Sequence, residues 1–142
     1  MNPYDASEIY VLTTAGVRFS NTGGESFAPE PALTNLITGN NKYQLEIFSG
    51  GNSNNVRMAT RAVALGTLAD MDFRRDDPRM AVAVSPLTGV FFRDKGGRWH
   101  DLTSFLPTPV SSVSSARIAC DAIYVGTEGG GVVRIANYEN AP

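Results

Sequence analysis

Short apolar runs alternate with polar, glycine-rich turns along most of this chain. Three of these runs lead into a Gly-Val pair, and the pairs are Gly16-Val17, Gly89-Val90 and Gly131-Val132. Short runs rich in β-branched and aromatic residues, bounded by turns, are typical of strands. A strand-turn-strand unit that recurs predicts a repeat architecture.

The spacing of these pairs sets the size of the repeat. Gly89 and Gly131 lie 42 residues apart, which matches the period of roughly 40–45 residues of four-stranded propeller blades. The interval of 73 residues between Gly16 and Gly89 is too long for one such unit and somewhat short for two. An irregular blade is therefore expected between them.

The segment from about residue 68 to residue 106 shows all four strands of such a unit. The predicted strands are residues 68–73, 80–84, 89–93 and 98–102. Aspartate, proline and glycine lie between them, and these residue types favour chain reversal. Four short antiparallel strands in sequence order form a meander sheet, which needs neighbours to cover its faces.

The pattern as a whole predicts an all-β chain with a single β-propeller-like domain over residues 1–142. About three four-stranded antiparallel meander blades are expected, at about residues 8–36, 68–106 and 112–136, with an irregular segment at 37–67. The first and last units are incomplete in this pattern, and incomplete units leave strand edges that pair with other chains. We therefore expect a partial propeller that is completed by homo-oligomerisation or by the remainder of a larger propeller.

Composition narrows the classes of partner. The chain has 142 residues, with 12 Lys and Arg against 14 Asp and Glu and a formal charge of −2, so it lacks the basic field of a nucleic-acid-binding protein. No apolar run reaches the roughly 20 residues that cross a bilayer, and the first residues lack a secretory signal. The sequence predicts a soluble chain with no membrane or nucleic-acid partner and no cofactor, and it leaves the compartment open.

The metal-ligating and redox-active residue types are scarce. Cys120 is the sole cysteine and His100 the sole histidine. An internal disulfide is therefore impossible, and no cysteine- or histidine-based metal site is expected. We expect Cys120 to be a small buried residue and His100 to lie on the surface.

Two of the turns share residues with a known repeat. The first contains Ser20, Gly24 and Phe27, and the second contains Asp94, Gly97 and Trp99. They resemble the Asp-box, or BNR, repeat, Ser-x-Asp-x-Gly-x-Thr-Trp, which joins the third and fourth strands of propeller blades in sialidases, sortilin-like receptors and xyloglucan-cleaving glycosidases. The resemblance implies a propeller fold in which these turns are structural. It implies that Asp94 caps the amides of its turn and that the aromatic rings pack between sheets.

Asp70 and Asp72 are the candidates for acid and base groups. They alternate with apolar neighbours, so both carboxylates lie on one face of the first strand of the middle unit. Two carboxylates across a sugar cleft are the machinery of glycosidases. The alternative is a strand end that is solvated or paired with a nearby arginine, such as Arg74.

These observations favour a non-catalytic binding or scaffolding module for a protein or glycan ligand. The alternative is a carbohydrate-active enzyme, or a fragment of one, with Asp70 and Asp72 as its acids. A lectin-like form of the binding role would use exposed aromatic side chains, and the candidates are Tyr43 and Tyr138.

Overall fold

The computed structural model of the chain describes residues 2–13, 15–39, 68–86, 88–106, 113–128 and 131–140. Tyr43 and most of the segment 37–67 lie outside these residues. The elements in chain order are β1 (Ile9–Thr13), β2 (Gly16–Ser20), β3 (Ala28–Pro29), α1 (Pro31–Ile37), β4 (Asp70–Phe73), β5 (Ala81–Ser85), β6 (Gly89–Arg93), β7 (Trp99–Asp101), a 3₁₀ helix (Thr103–Phe105), β8 (Val113–Ile118), β9 (Ala122–Thr127), β10 (Gly131–Ala136) and a 3₁₀ helix (Tyr138–Asn140).

The strands form three antiparallel sheets, none of which closes on itself within the described residues. We call β1-β2-β3 the N-terminal sheet, β4-β5-β6-β7 the middle sheet and β8-β9-β10 the C-terminal sheet. This arrangement agrees with the all-β prediction, and the middle sheet has the four strands expected of it, in meander order. The described parts of the other two sheets have three strands each, and these are the two units whose pattern in the sequence is incomplete.

Helix α1 (Pro31–Ile37) begins inside the segment 8–36, for which the sequence pattern predicts only strands. Pro31 opens the helix, where a proline fits because the first helical amide has no partner in any case. Leu33 and Ile37 lie four residues apart on one face and are both fully buried. They pack in one cluster with Phe91 of the middle sheet, so tertiary packing explains why this short segment is helical.

The middle sheet is buried on both faces. Val82, Val84, Val90 and Phe92 pack against the C-terminal sheet, whereas Ala83 and Phe91 pack against the N-terminal sheet and helix α1. Successive side chains of a strand point to opposite faces, which is why every residue of β5 and β6 is buried. The three sheets therefore stack face to face, with the middle sheet between the other two.

The N-terminal and middle sheets share a feature that we call the threonine clasp. The amide of Val17 donates to the hydroxyl of Thr34 at 2.9 Å, and the amide of Val90 donates to the hydroxyl of Thr103 at 3.2 Å. The carbonyls of Val17 and Val90 accept from the next segment as well, from the amide of Glu30 at 2.8 Å and from that of Leu102 at 2.9 Å. The same valine is thus tied at both polar groups in each sheet, and each threonine lies on a short helix after the last strand.

The repeated glycines allow the faces of the three sheets to be compared. Gly16, Gly89 and Gly131 open β2, β6 and β10 at positive φ. We call the face that carries Val17, Val90 or Val132 the front of its sheet, and the opposite face the back. The front of the N-terminal sheet packs on the back of the middle sheet, and the front of the middle sheet packs on the back of the C-terminal sheet. The stack therefore has one direction.

Replacing Gly89 by alanine should destabilise the chain far more than replacing Gly131. Both residues have positive φ, but a Cβ at Gly89 would lie 1.8 Å from the clasp hydroxyl of Thr103, whereas a Cβ at Gly131 meets nothing within 4 Å. We expect Gly131→Ala to lower the free energy of unfolding by about 1 kcal/mol through the backbone penalty alone. We expect Gly89→Ala to lower it by more than about 3 kcal/mol, because overpacking adds to that strain. Urea denaturation of both variants measures the difference. Equal losses of unfolding free energy would contradict the close packing of Gly89 against Thr103 in the clasp.

Candidate binding site

The turn between β6 and β7 is organised by Asp94. Its Oδ1 accepts hydrogen bonds from the amides of Gly96 at 2.9 Å and Arg98 at 3.0 Å, and its Oδ2 lies 2.7 Å from Nε2 of His100. The hydrogen bond with His100 is the largest cause of the lowered pKa of Asp94, and the bonds from the two amides lower this pKa further. Burial opposes the shift in part. The prediction that His100 lies on the surface is wrong, because its side chain is 14% exposed and its ring stacks on Phe92.

Hydroxyl groups do the same work at the turn between β2 and β3. Oγ of Ser20 accepts from the amides of Thr22 at 3.2 Å and Gly24 at 3.0 Å. Oγ1 of Thr22 accepts from the amide of Ser26 at 3.0 Å. Ser20 therefore bonds the second and fourth amides after it, as Asp94 does. The neutral hydroxyl makes weaker bonds than the carboxylate.

The aromatic residues of the two turns differ in their surroundings. Trp99 meets Tyr10 of the N-terminal sheet edge to face, with ring centroids 6.3 Å apart. Extending the pairing of Phe19 with Ala28 places Phe27 opposite Ser20, where Trp99 lies opposite Arg93 in the middle sheet. Phe27 is nevertheless 39% exposed, so the packing implied for its ring is wrong. In the described part of the chain no further sheet covers the back of the N-terminal sheet.

A buried arginine joins the N-terminal and middle sheets. Arg93 is 5% exposed, and its guanidinium donates to the carbonyls of Arg79 at 2.8 Å and Pro78 at 3.1 Å. It also donates to the hydroxyl of Tyr10 and lies 3.3 Å from the carboxylate of Glu8. Burial raises the pKa of Tyr10 to about 12, although the charge of Arg93 opposes the shift. The phenol is therefore a neutral hydrogen-bond partner at ordinary pH.

Two clefts flank the Asp94 turn. The large cleft has a volume of about 470 Å³ and is lined by Met80, Phe92, Asp94, Lys95, Gly96, Arg98 and Glu139. The small cleft, about 290 Å³, lies between the turn and the N-terminal sheet and includes Tyr10, Phe19 and Arg93 in its lining. Apolar atoms of Met80 and Phe92 form the floor of the large cleft, and charged groups of both signs form its rim.

Arg74 fixes one side of the large cleft. Its guanidinium donates hydrogen bonds to both carboxylate oxygens of Asp76, at 2.5 and 2.9 Å. It also pairs with Glu139 and donates to the Tyr138 hydroxyl at 3.2 Å. These bonds hold the last 3₁₀ helix against the middle sheet.

The structure corrects two expectations in this region. Tyr138 is 2% exposed, and its hydroxyl donates to the carbonyl of Ala119, so its ring is not a surface on which a glycan can stack. Burial raises the pKa of the Tyr138 hydroxyl. Cys120 is exposed rather than buried, and its thiol lies 3.0 Å from the Asp76 carboxylate. That carboxylate is the main cause of the raised pKa of Cys120.

The two candidate acids lie between sheets. Asp70 and Asp72 share one face of β4, as their alternation predicts, and that face meets the edge of β8. Oδ2 of Asp70 accepts from the amide of Ala116 at 3.2 Å and from Arg117 at 2.6 Å. Oδ2 of Asp72 accepts from the amide of Ile118 at 2.9 Å. These carboxylates therefore satisfy edge amides of β8 that no strand pairs, which is a structural task.

The described residues contain neither a metal-binding cluster nor a membrane-spanning helix. Within them, no group of three or more His, Cys, Asp and Glu side chains is placed to hold a metal ion. None of the helices in the described ranges has the length and apolar character that a membrane crossing requires.

Removing the Asp72 carboxylate should destabilise the fold. Asp72→Ala leaves the buried amide of Ile118 without its acceptor, which costs about 1–3 kcal/mol in the free energy of unfolding. Asp121→Ala is the matched control, since its pair with Arg134 spans 3.3 Å and both side chains are more than half exposed. We expect little change there. Chemical denaturation measures the free energy of unfolding of both variants. An unchanged value for Asp72→Ala would contradict the structural role of this carboxylate.

The Asp94 turn should make stability depend on pH. A lowered folded-state pKa means that the ionised carboxylate is favoured by folding. Its contribution is complete above the unfolded value of about 3.9 and is lost as the pH falls towards the folded value. Asp94→Asn should therefore be less stable than the parent near neutral pH, and the gap should close below about pH 4. Thermal melts across pH test this, and a gap that stays constant would contradict it.

Comparison of the chain with protein-family models, with curated proteins and with solved structures found no match. The likeness of the turns at 20–27 and 93–99 to the Asp-box repeat therefore stays a prediction from the sequence. The clefts and the sheet faces provide the basis for assigning a function.

Proposed function

We propose that the three stacked sheets are blades of the β-propeller type and that the chain is a non-catalytic binding and scaffolding module. The common direction of stacking supports this proposal, since each front meets the next back. Propellers repeat for the same physical reason, because an isolated meander sheet leaves apolar faces uncovered.

Three repeated hydrogen-bond patterns support the equivalence of the N-terminal and middle units. The threonine clasp and the tied turn between the last two strands occur in both. A third pattern lies just before β1 and before β5, the strand that corresponds to it. Oδ1 of Asp5 accepts from the amide of Ser7 at 3.0 Å, and Oδ1 of Asp77 accepts from that of Arg79 at 3.3 Å. Equivalent bonds from residues that differ in type are expected when one backbone path is repeated.

The large cleft is the observation that carries the binding role. Its volume of about 470 Å³ lies in the range of roughly 300–1,000 Å³ of ligand sites. An apolar floor with a few charged groups at the rim suits a ligand that has one apolar face and polar groups around it. A protein side chain or the face of a sugar has that character. We assign the rim residue Arg98 to contact the polar groups of this protein or glycan ligand.

The geometry does not support the alternative function, that of a carbohydrate-active enzyme. Its candidate acids, Asp70 and Asp72, already accept hydrogen bonds from Ala116 and Ile118 of β8. Moving either carboxylate towards a substrate would break a hydrogen bond that joins two sheets. We therefore do not advance it as a second function.

The test compares two charge reversals of the same type. Arg98→Glu changes the rim of the large cleft, and Arg75→Glu changes an exposed arginine outside its lining. Parent and variants are screened on a glycan array and against a displayed peptide library. We expect the parent and Arg75→Glu to capture the same ligands, and Arg98→Glu to bind them at least about tenfold more weakly, or ~1.4 kcal/mol. Equal binding by Arg98→Glu, or no capture by the parent in either screen, would refute the proposal.

A further inference from the structure

The front of the C-terminal sheet exposes an aromatic residue that is packed in the equivalent place elsewhere. Tyr124 pairs with Arg134, and Tyr10 pairs with Phe19. Counted from the glycines that open β10 and β2, Tyr124 and Tyr10 are equivalent. Tyr10 meets Trp99 on the back of the middle sheet. Tyr124 is 36% exposed and its neighbour Val132 is 71% exposed.

The residue that corresponds to Trp99 lies on the sheet at the other end of the stack. Phe27 occupies the position of Trp99 but lies on the back of the N-terminal sheet, which no other sheet of the described residues covers, and it is 39% exposed. The pair that joins one front to the next back thus has its two members at opposite ends of the molecule. We propose that a second copy of this chain docks head to tail, with Tyr124 of one copy against Phe27 of the other. This rests on the proposed function, because it extends the same stacking of blades.

The charges of the two faces support a second copy as the occupant. Arg117 and Arg134 lie on either side of Tyr124 in the neighbouring strands, with side chains 68% and 52% exposed. The pair of Arg134 with Asp121 joins two side chains that are more than half exposed, and such surface pairs contribute little to stability. The exposed turn that carries Phe27 also carries Glu25, which is exposed.

The position of Arg134 brings it to that turn. Arg134 is equivalent to Phe19, and Phe19 lines the small cleft with Lys95 and Gly97 of the Asp94 turn. In the docked pair Arg134 would therefore face the corresponding turn of the neighbouring copy, where Glu25 lies. Arg18 lies on the same back face, so the aromatic contact, rather than the net charge, sets the register.

The interface is heterologous, because different faces of the two copies meet. Each docked pair keeps one free front and one free back, so further copies add until a ring closes or a chain of copies forms. This property separates the proposal from a two-fold dimer, in which one face meets itself.

Mixing two interface variants tests the arrangement. Phe27→Ser removes the back contact and Tyr124→Ser removes the front contact, whereas Phe105→Ser is the control, since Phe105 is 53% exposed on the 3₁₀ helix after β7 and belongs to neither face. Sedimentation velocity should show association of the parent and of Phe105→Ser. Each interface variant alone should associate at least about tenfold more weakly. The two variants mixed should form dimers and nothing larger, because one intact front and one intact back remain.

Several results would overturn the proposal. They are a parent that stays monomeric at every concentration, interface variants that associate as the parent does, and a mixture that fails to form dimers. Circular dichroism and melting temperatures verify that each variant is folded. If serine at either position unfolds the chain, the charge reversals Glu25→Arg and Arg134→Glu replace these variants. Each reversal alone should associate more weakly than the parent, because like charges then meet. Their mixture should regain association, because every front then meets a back of opposite charge.

A failure here is distinguishable from a failure of the proposed function. The ligand screen depends on Arg98 in the large cleft, which is lined by neither Phe27 nor Tyr124. A monomeric parent that still captures its ligands would remove head-to-tail docking and leave the binding role intact.

Discussion

Neither face of the two central strands of the middle sheet is exposed to solvent, and the arrangement of the chain depends on this constraint. Every residue of β5 and β6 is buried although their side chains point to both sides. Burying one side chain such as Phe92 contributes roughly 1.5–3 kcal/mol, whereas an exposed ion pair contributes about 0–1 kcal/mol. Apolar burial on both faces of the middle sheet therefore contributes more to the stability of the fold than the exposed ion pairs do. The N-terminal sheet with helix α1 provides one cover and the C-terminal sheet provides the other.

Polar side chains join the layers where apolar contact ends. Arg93 ties the middle sheet to the N-terminal sheet through carbonyls, a phenol and a carboxylate. Asp70 and Asp72 tie it to the C-terminal sheet through the amides of β8. Buried polar groups of this kind are costly when a partner is lost. They specify how one sheet sits on the next, a task that the non-directional apolar contact does not perform.

Local patterns in the sequence predict the strands but not their neighbours. The order of four strands in the middle unit and the shared face of Asp70 and Asp72 follow from turn residues and period-two alternation, which act within a few residues. The sequence does not show that β8 approaches that face, so the acids are open to a catalytic interpretation. The burial of Tyr138, the exposure of Phe27 and the helical state of residues 31–37 likewise depend on which sheet covers which. These outcomes are set by contacts between segments far apart in the chain.

The composition of the front of the C-terminal sheet, on which no other sheet of the described residues packs, suits the docking proposed above. Arg134 and Gly126 stand where the middle sheet has a phenylalanine and a valine, which reduces the apolar area that water meets when the face is uncovered. Tyr124 and Val132 stay apolar or aromatic, and tyrosine with arginine is a common pairing at the centre of protein interfaces. A face made only of valine and phenylalanine would aggregate when uncovered, and a face made only of charges would not dock. In the head-to-tail docking proposed above, this mixture would limit the apolar area of an undocked front and still provide a surface for the next copy.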